Sequence, residues 1–422
     1  MSISIKSIRN KLTSQRFFQF LLANVIFSIS TFLINLSLPI ILSESLYDKF
    51  IYLFHMVFFI TTLFQFGMVV GLYKFYDKYR KEIFNIYYTL VLLINVVLLL
   101  FSLKVDNFIN VALKITDITV VESFSFYCSV IVLGIFLFNK GKNIIEKSFK
   151  YMLKISMSVF IIRIFVIVFL FIIHIESLSI LLFLFFILPF FRDIIDYVKS
   201  TIKFVRPNSL NFILLRKFLY FIFNVWIIGM LFTISDKIFL ISTKGLNQEL
   251  TTAIAFSSGF VGIISLFNST FSNFFLAKLS SNNLCDIDNY LKQLIKFLPK
   301  YFVLLLLICI IFSLFILLGY SQFGIFTSTI TFITLLRMGF ISYLGLFTLL
   351  GKILDLLHLE IVLNILRILV VYILCNFWVT DNYVLWYAVV VFVVPFPELI
   401  LTFVIRNKVN SRIKKSNIES ND

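Results

Sequence analysis

The stretch LKISMSVFIIRIFVIVFLFII, Leu153–Ile173, is 21 residues long and carries two cations and no acid. A helix crossing a hydrocarbon core of about 30 Å needs roughly 20 apolar residues, because nothing in lipid but the helix itself can hydrogen-bond the backbone. The same pattern recurs along the chain. Spans are predicted at Phe17–Leu42, Phe50–Tyr73, Ile83–Leu103, Ile118–Phe138, Leu153–Ile173, Ser177–Phe191, Leu219–Ile234, Thr252–Leu276, Leu298–Gly319, Phe323–Leu350, Leu359–Val379 and Tyr383–Ile405. With 60% hydrophobic and 14% charged residues over 422 positions, the chain has too little polar surface to close a water-soluble globule. The expected fold is all-α: a polytopic membrane protein of about twelve transmembrane helices. The first span is too long for a signal peptide and lacks an Ala-x-Ala-like exit, so it is expected to be retained.

A net charge of +16 raises the question of nucleic acid, and the positions of the basic residues answer it. On this map 29 of the 37 Lys and Arg fall before the first span, in alternate loops or at the span ends that adjoin them (Lys154, Lys300), and in the tail from Arg406; five lie in the opposite loops, and three arginines remain deep within spans. This positive-inside asymmetry predicts both termini in the cytoplasm, and no nucleic-acid partner is expected. The tail run Arg406, Lys408, Arg412, Lys414 and Lys415 suits anionic lipid headgroups. The stretch Arg192–Lys217 is the longest and most basic linker and leaves six spans on either side. Two six-helix lobes are therefore expected, 1–200 and 201–405, followed by a basic tail, 406–422. The bias toward Phe, Ile, Lys and Asn suggests an AT-rich bacterial genome.

Several chemistries lack a sequence basis. There is no Walker A loop, no paired His–Glu zinc spacing and no Gly-x-Ser-x-Gly elbow. The four cysteines, Cys128, Cys285, Cys309 and Cys375, show no paired spacing, and His55, His174 and His358 are far apart. They read as packing residues, so no cofactor and no metal is expected. The outer loops are short, the longest being Lys104–Asp117, which leaves no room for the external domain of a membrane glycosyltransferase or polymerase. The expected protein is not an enzyme.

Arg163, Arg337 and Arg367 each fall near the middle of a span. An Arg at the helix centre costs about 2.5–3.5 kcal/mol on translocon scales, so it faces a bundle interior or a cavity rather than lipid. No acid lies at the same depth on this map; the nearest, Glu398, is toward one end of the last span. Unpaired guanidiniums attract anions, and their planar donor fork matches phosphate and carboxylate oxygens. These three are the candidate substrate-binding residues of a cationic cavity, with Asn24 and Gln65 as candidate polar residues beside them. Pro39 and Pro189 remove helix hydrogen bonds and are expected to end or kink their helices. Gly67 and Gly71 are expected to permit close helix contact.

Three short motifs give the chain a resemblance: Leu38-Pro39-Ile40 closing the first span, Gln65-Phe66-Gly67-Met68 with Gly71 in the second, and Ser235-Asp236-Lys237-Ile238-Phe239-Leu240 after the seventh. With its length, spans, short loops and termini, the chain resembles the O-antigen (Wzx-type) polysaccharide flippases of the multidrug/oligosaccharidyl-lipid/polysaccharide exporter (MOP) superfamily. One departure stands out. The family usually continues from the Asp to a Gly-x-Tyr, where this chain reads Thr252-Ala253-Ile254-Ala255-Phe256. The resemblance implies two six-helix lobes around a central cationic cavity, with Asp236 as a further site candidate. It implies alternating access that carries an undecaprenyl-diphosphate-linked oligosaccharide across the bacterial inner membrane. It also implies coupling to H+ or Na+, and a polysaccharide polymerase and chain-length regulator as partners. The competing readings are a membrane-embedded oligosaccharide polymerase or sugar acyltransferase, and another secondary transporter such as a drug or metabolite exporter. A major-facilitator porter is disfavoured because the stretch from Gly71 to Lys81 breaks that family's loop spacing.

Overall fold

The computed structural model describes residues 5–411 except the segments 105–107, 116–117, 206–210, 245–246, 261–283, 320–323, 354–356, 379–381, 397–398 and 408–410 and the single residues 66, 147, 174, 394 and 406. Every element in the described residues is helical. In order these are α1 (Ile5–Ile41), α2 (Glu44–Phe64), α3 (Met68–Ser102), the short α4 (Phe108–Ala112), α5 (Val120–Ile145), α6 (Phe149–Ile172), α7 (Leu178–Leu182), α8 (Phe191–Phe204) and α9 (Phe212–Thr243). There follow α10, described over 248–260, then α11 (Leu284–Gly319), α12 (Gly324–Ile353), α13 (Leu357–Phe377) and α14 (Tyr383–Val393).

Nine helices among the described residues are long and apolar enough to cross a membrane, and two shorter apolar helices, Ile361–Asn376 and Tyr383–Val393, accompany them. The eighth expected span, Thr252–Leu276, is described only in its first part. The protein is a polytopic, all-helical membrane protein. Its outward side chains match lipid as solvent: Phe165, Ile172, Leu318 and Phe403 are each more than 60% exposed.

Three span boundaries differ from expectation. The second expected span, Phe50–Tyr73, is broken: α2 ends at Phe64, and Gly67 adopts φ +64° as the residue before α3. Left-handed backbone is open to glycine without Cβ strain, so the chain turns there and re-enters a helix. That helix, α3, runs unbroken through the basic stretch Lys74–Lys81 that read as a loop, because Lys, Arg and Glu are good helix formers whose stems pack along apolar surface.

The sixth expected span, Ser177–Phe191, extends as one helical path over Leu178–Phe204. Pro189 lacks a donor and disrupts α-helical bonding. The chain accommodates it with a π turn at Phe183–Ile187 and a 3-10 turn at Leu188–Phe190 before α8 resumes. Much of the expected linker is therefore helix. Likewise α9 begins at Phe212 and continues to Thr243, beyond both ends of the expected seventh span.

The chain forms two compact units, Met1–Thr233 and Ile234–Asp422. In the first, α5 is central and touches α2, α3, α6, α7 and α8, while α1 packs along α6. Gly71 lets α3 approach α9 closely: a Cβ there would lie 2.4 Å from Ile222 Cγ2 and 2.7 Å from Phe218 Cε2. In the second unit α12 contacts α11, α13 and α14.

Candidate functional site

The first unit holds a polar seam where α1 meets α5, α6 and the start of α8. It begins with Arg163 on α6, whose side chain is 0% exposed. Its Nη1 donates to Ser30 Oγ at 2.9 Å and to Thr31 Oγ1 at 3.0 Å on α1. Those hydroxyls in turn donate to the Phe27 carbonyl, at 2.7 and 3.2 Å, so their lone pairs are left to face the guanidinium. The guanidinium carbon sits 5.3 Å from the Phe27 ring centre and 5.4 Å from that of Phe190, where desolvated cation–π attraction adds to the hydrogen bonds. Nε and Nη2 have no hydrogen-bond partner among the described residues. A guanidinium carries five donors, so the three on Nε and Nη2 are unused. Pro189 places the Phe190 ring beside Arg163: the 3-10 turn at Leu188–Phe190 contacts α6.

Two turns earlier on α1, Asn24 faces Lys140 of α5. Asn24 Nδ2 donates to the Phe20 carbonyl at 2.9 Å, which orients its Oδ1 to accept from Lys140 Nζ at 2.7 Å. Seven residues separate Asn24 from Thr31, about 10 Å along a helix, and two turns share a face. Lys140 and Arg163 are therefore two cations strung along one side of α1, with Phe27 stacked on Phe136 at 5.1 Å between them. Asn24 and Lys140 also line a small cavity with Asn143, Ser156 and Asp193. Asp193 is 1% exposed. Asn139 Nδ2 donates to its backbone carbonyl at 2.9 Å and to its Oδ1 at 3.5 Å, and Oδ2 has no partner among the described residues.

The other candidates fall elsewhere. Gln65 ends α2 in the first unit, where its N–H bonds the Thr61 carbonyl and its carbonyl accepts from Met68. Arg337 on α12 and Arg367 on α13 belong to the second unit and are buried, at 5% and 4% exposure. The α12 face near Arg337 is polar: Thr334 bonds the Tyr387 hydroxyl at 2.9 Å, and Thr331 pairs with Ser257 at 2.8 Å. Asp236 lies within α9 rather than after it, and its side chain is outside the described residues, as is Glu398.

Sequence reasoning missed Asp193, Asn139 and Lys140 because the expected spans end at Phe138 and Phe191, where polar and charged residues begin. It missed Ser30 and Thr31 because isolated hydroxyls in an apolar helix do not stand out. One signal was available: in α8 the apolar Phe191, Ile195, Val198 and Ile202 recur at helical spacing, which puts Asp193, Tyr197 and Ser200 on the opposite, buried face.

Among its described residues the seam offers no nucleophile paired with a base and no set of metal ligands. What it offers is electrostatic: cations immobilised by buried acceptors, with donors to spare on Arg163 and one carboxylate nearby. On this scaffold the backbone adopts the fold of the MATE transporters. The chain is similar to a eukaryotic MATE transporter, AtDTX14, with a TM-score of 0.60 at 11% identity over 95% of this chain and 98% of that one. It is also similar to an inward-facing multidrug resistance MATE family transporter of the MOP superfamily, with a TM-score of 0.54 at 13% identity over 94% and 96% of the two chains. No family model and no curated protein matches the sequence. The likeness is one of fold.

Proposed function

We propose that the protein is a flippase that carries an undecaprenyl-diphosphate-linked oligosaccharide, an O-antigen or similar repeat unit, across a bacterial inner membrane by alternating access. The observation that carries this reading is the sign of the buried charge. Among the described residues three arginines, Arg163, Arg337 and Arg367, are buried against one carboxylate, Asp193. Arg163 in particular retains three unused donors, and a diphosphate is the ligand class whose oxygens match them. The headgroup would engage these cations while the polyprenyl tail stays in lipid. Asn24, Gln65 and Asp236 complete the proposed site. A gradient of H+ or Na+ resets the cycle, both termini are cytoplasmic, and a polymerase and chain-length regulator take the product. No bond is made or broken.

A second reading, drug export, is favoured by the multidrug resistance transporter among the structural neighbours. One deletion strain separates the two. Loss of surface polysaccharide, with single lipid-linked units trapped on the cytoplasmic face, supports the flippase. Unchanged polysaccharide with increased drug sensitivity supports the exporter, and unpolymerised units on the outer face indicate a polymerase. Complementation with Arg163→Ala or Arg337→Ala at normal protein level is expected to fail; full polysaccharide from both variants overturns the cationic site.

A further inference from the structure

Outside the polar seam, a groove of about 550 Å³ opens on the first unit between α6 and the start of α8. Its lining is asymmetric. Lys154 and Arg192 stand at one end, and Met157, Ser158 and Ile161 continue it along α6. The ridge then runs on through Phe165, and Met157, Ile161 and Phe165 are 41%, 45% and 69% exposed. From Met157 to Phe165 is eight residues, about 12 Å of helix, close to the half-thickness of a hydrocarbon core of about 30 Å. Two cations at the head of one leaflet's depth of exposed apolar ridge have the polarity of an amphiphile with an anionic head.

The cationic end is also built in advance. The Arg192 guanidinium lies over the Tyr151 ring, 5.0 Å from its centre, and the Tyr151 hydroxyl donates to the Asp196 carboxylate one turn further along α8. Asp196 is thus engaged with tyrosine; Arg192 also hydrogen-bonds Tyr151, and a guanidinium with five donors has others left for a phosphate. Neither Lys154 nor Arg192 has a carboxylate within ion-pair distance among the described residues.

We infer that this groove seats one anionic phospholipid of the surrounding membrane, its phosphate on Lys154 and Arg192 and an acyl chain along Met157, Ile161 and Phe165. The occupant is a bilayer lipid and not the transported molecule: the groove is on the outer surface of the unit, whereas Arg163 on the same helix is wholly enclosed. The site therefore stands whether or not the proposed transport function does.

The test uses the full chain in nanodiscs holding equal phosphatidylglycerol and phosphatidylcholine of matched chains, extracted and read by native mass spectrometry. Phosphatidylglycerol is expected to be retained over phosphatidylcholine. The double variant Lys154→Gln/Arg192→Gln is expected to reduce that preference about 30-fold, from roughly 1 kcal/mol per basic contact. Ser158→Cys labelled with a photoreactive group should cross-link to lipid acyl chain in the wild-type background, which does not depend on the double variant folding. Equal retention of both lipids by wild type, or a preference unchanged in a folded double variant, overturns the site. So does a groove that takes added undecaprenyl diphosphate but shows no preference for phosphatidylglycerol.

Discussion

Ser30→Ala/Thr31→Val removes the two acceptors of Arg163 while keeping the volume of α1 nearly constant. Both hydroxyls accept from one nitrogen, Nη1, at 2.9 and 3.0 Å. Hydrogen bonds to a charged group contribute about 1.5–3 kcal/mol each; because the two share one nitrogen, their joint loss is expected to cost about 3 kcal/mol rather than the full sum. The variant leaves a 0% exposed guanidinium with no hydrogen-bond acceptor. Arg163→Met should behave differently. It removes the cation together with its unsatisfied Nε and Nη2 and keeps an apolar chain of similar length between Phe27 and Phe190. Replacing a buried charge by an apolar side chain is often neutral or stabilising, so its folding stability is expected within about 1 kcal/mol of wild type. In the Arg163→Met background the hydroxyl changes should then cost under about 1 kcal/mol, giving a coupling of about 2–3 kcal/mol. Unfolding of the four proteins in mixed micelles with increasing SDS supplies the cycle. If the hydroxyl losses cost the same with and without Arg163, the hydrogen-bonded cluster does not hold α1 to α6 and the reasoning fails. Surface polysaccharide in the folded Arg163→Met variant reads the functional role separately, and loss is expected there.

Gly71→Val should destabilise the first unit by about 1–3 kcal/mol through overpacking, since its Cβ would fall 2.4 Å from Ile222 Cγ2; a melting temperature at or above wild type refutes the close approach of α3 and α9. Asn139→Ala leaves the Asp193 carbonyl and Oδ1 without their donor and is expected to cost about 1–3 kcal/mol, read by the same SDS titration. Tyr52→Phe deletes the 2.6 Å bond to the Leu113 carbonyl and should cost about 1 kcal/mol, with faster hydrogen exchange in the residues just after α4 as its local signature.

The membrane spans were legible because the bilayer imposes a length and a composition that a sequence displays directly. Their ends were not. Boundaries drawn at the first charged residue placed Lys74–Lys81, Lys140 and Arg192–Lys203 in loops, yet the backbone continues as helix through all of them. Long charged side chains do not end a helix; they reach along it toward water or toward a buried acceptor. That is how Lys140 comes to bond Asn24. The burial of Arg163, Arg337 and Arg367 was legible for a complementary reason, since a lone charge amid lipid-soluble residues has only an interior to occupy. What Arg163 would meet there was not, because its partners are two serine-type hydroxyls on a helix 132 and 133 residues away. Such pairings depend on helix rotation, which an apolar run with polar residues scattered on several faces does not display.

The arithmetic of Arg163 also limits how the proposed cycle can be driven. Moving a two-state equilibrium from 1:99 to 99:1 takes a ligand that favours one state by about 5.5 kcal/mol. A diphosphate oxygen pair meeting Nε and Nη2 makes two charge-assisted bonds of about 1.5–3 kcal/mol each, or about 3–6 kcal/mol before the ligand's own desolvation is subtracted. One guanidinium therefore falls short once that cost is included. The balance has to come from a second cation, and within the first unit Lys140, bonded to Asn24 along the same side of α1, is the one at hand. A transported anion must then be large enough, or carry enough charge, to engage both. This condition suits a diphosphate joined to an oligosaccharide better than a small monoanion. It also follows that, under the proposed cycle, removal of one arginine should stall transport well before it abolishes binding.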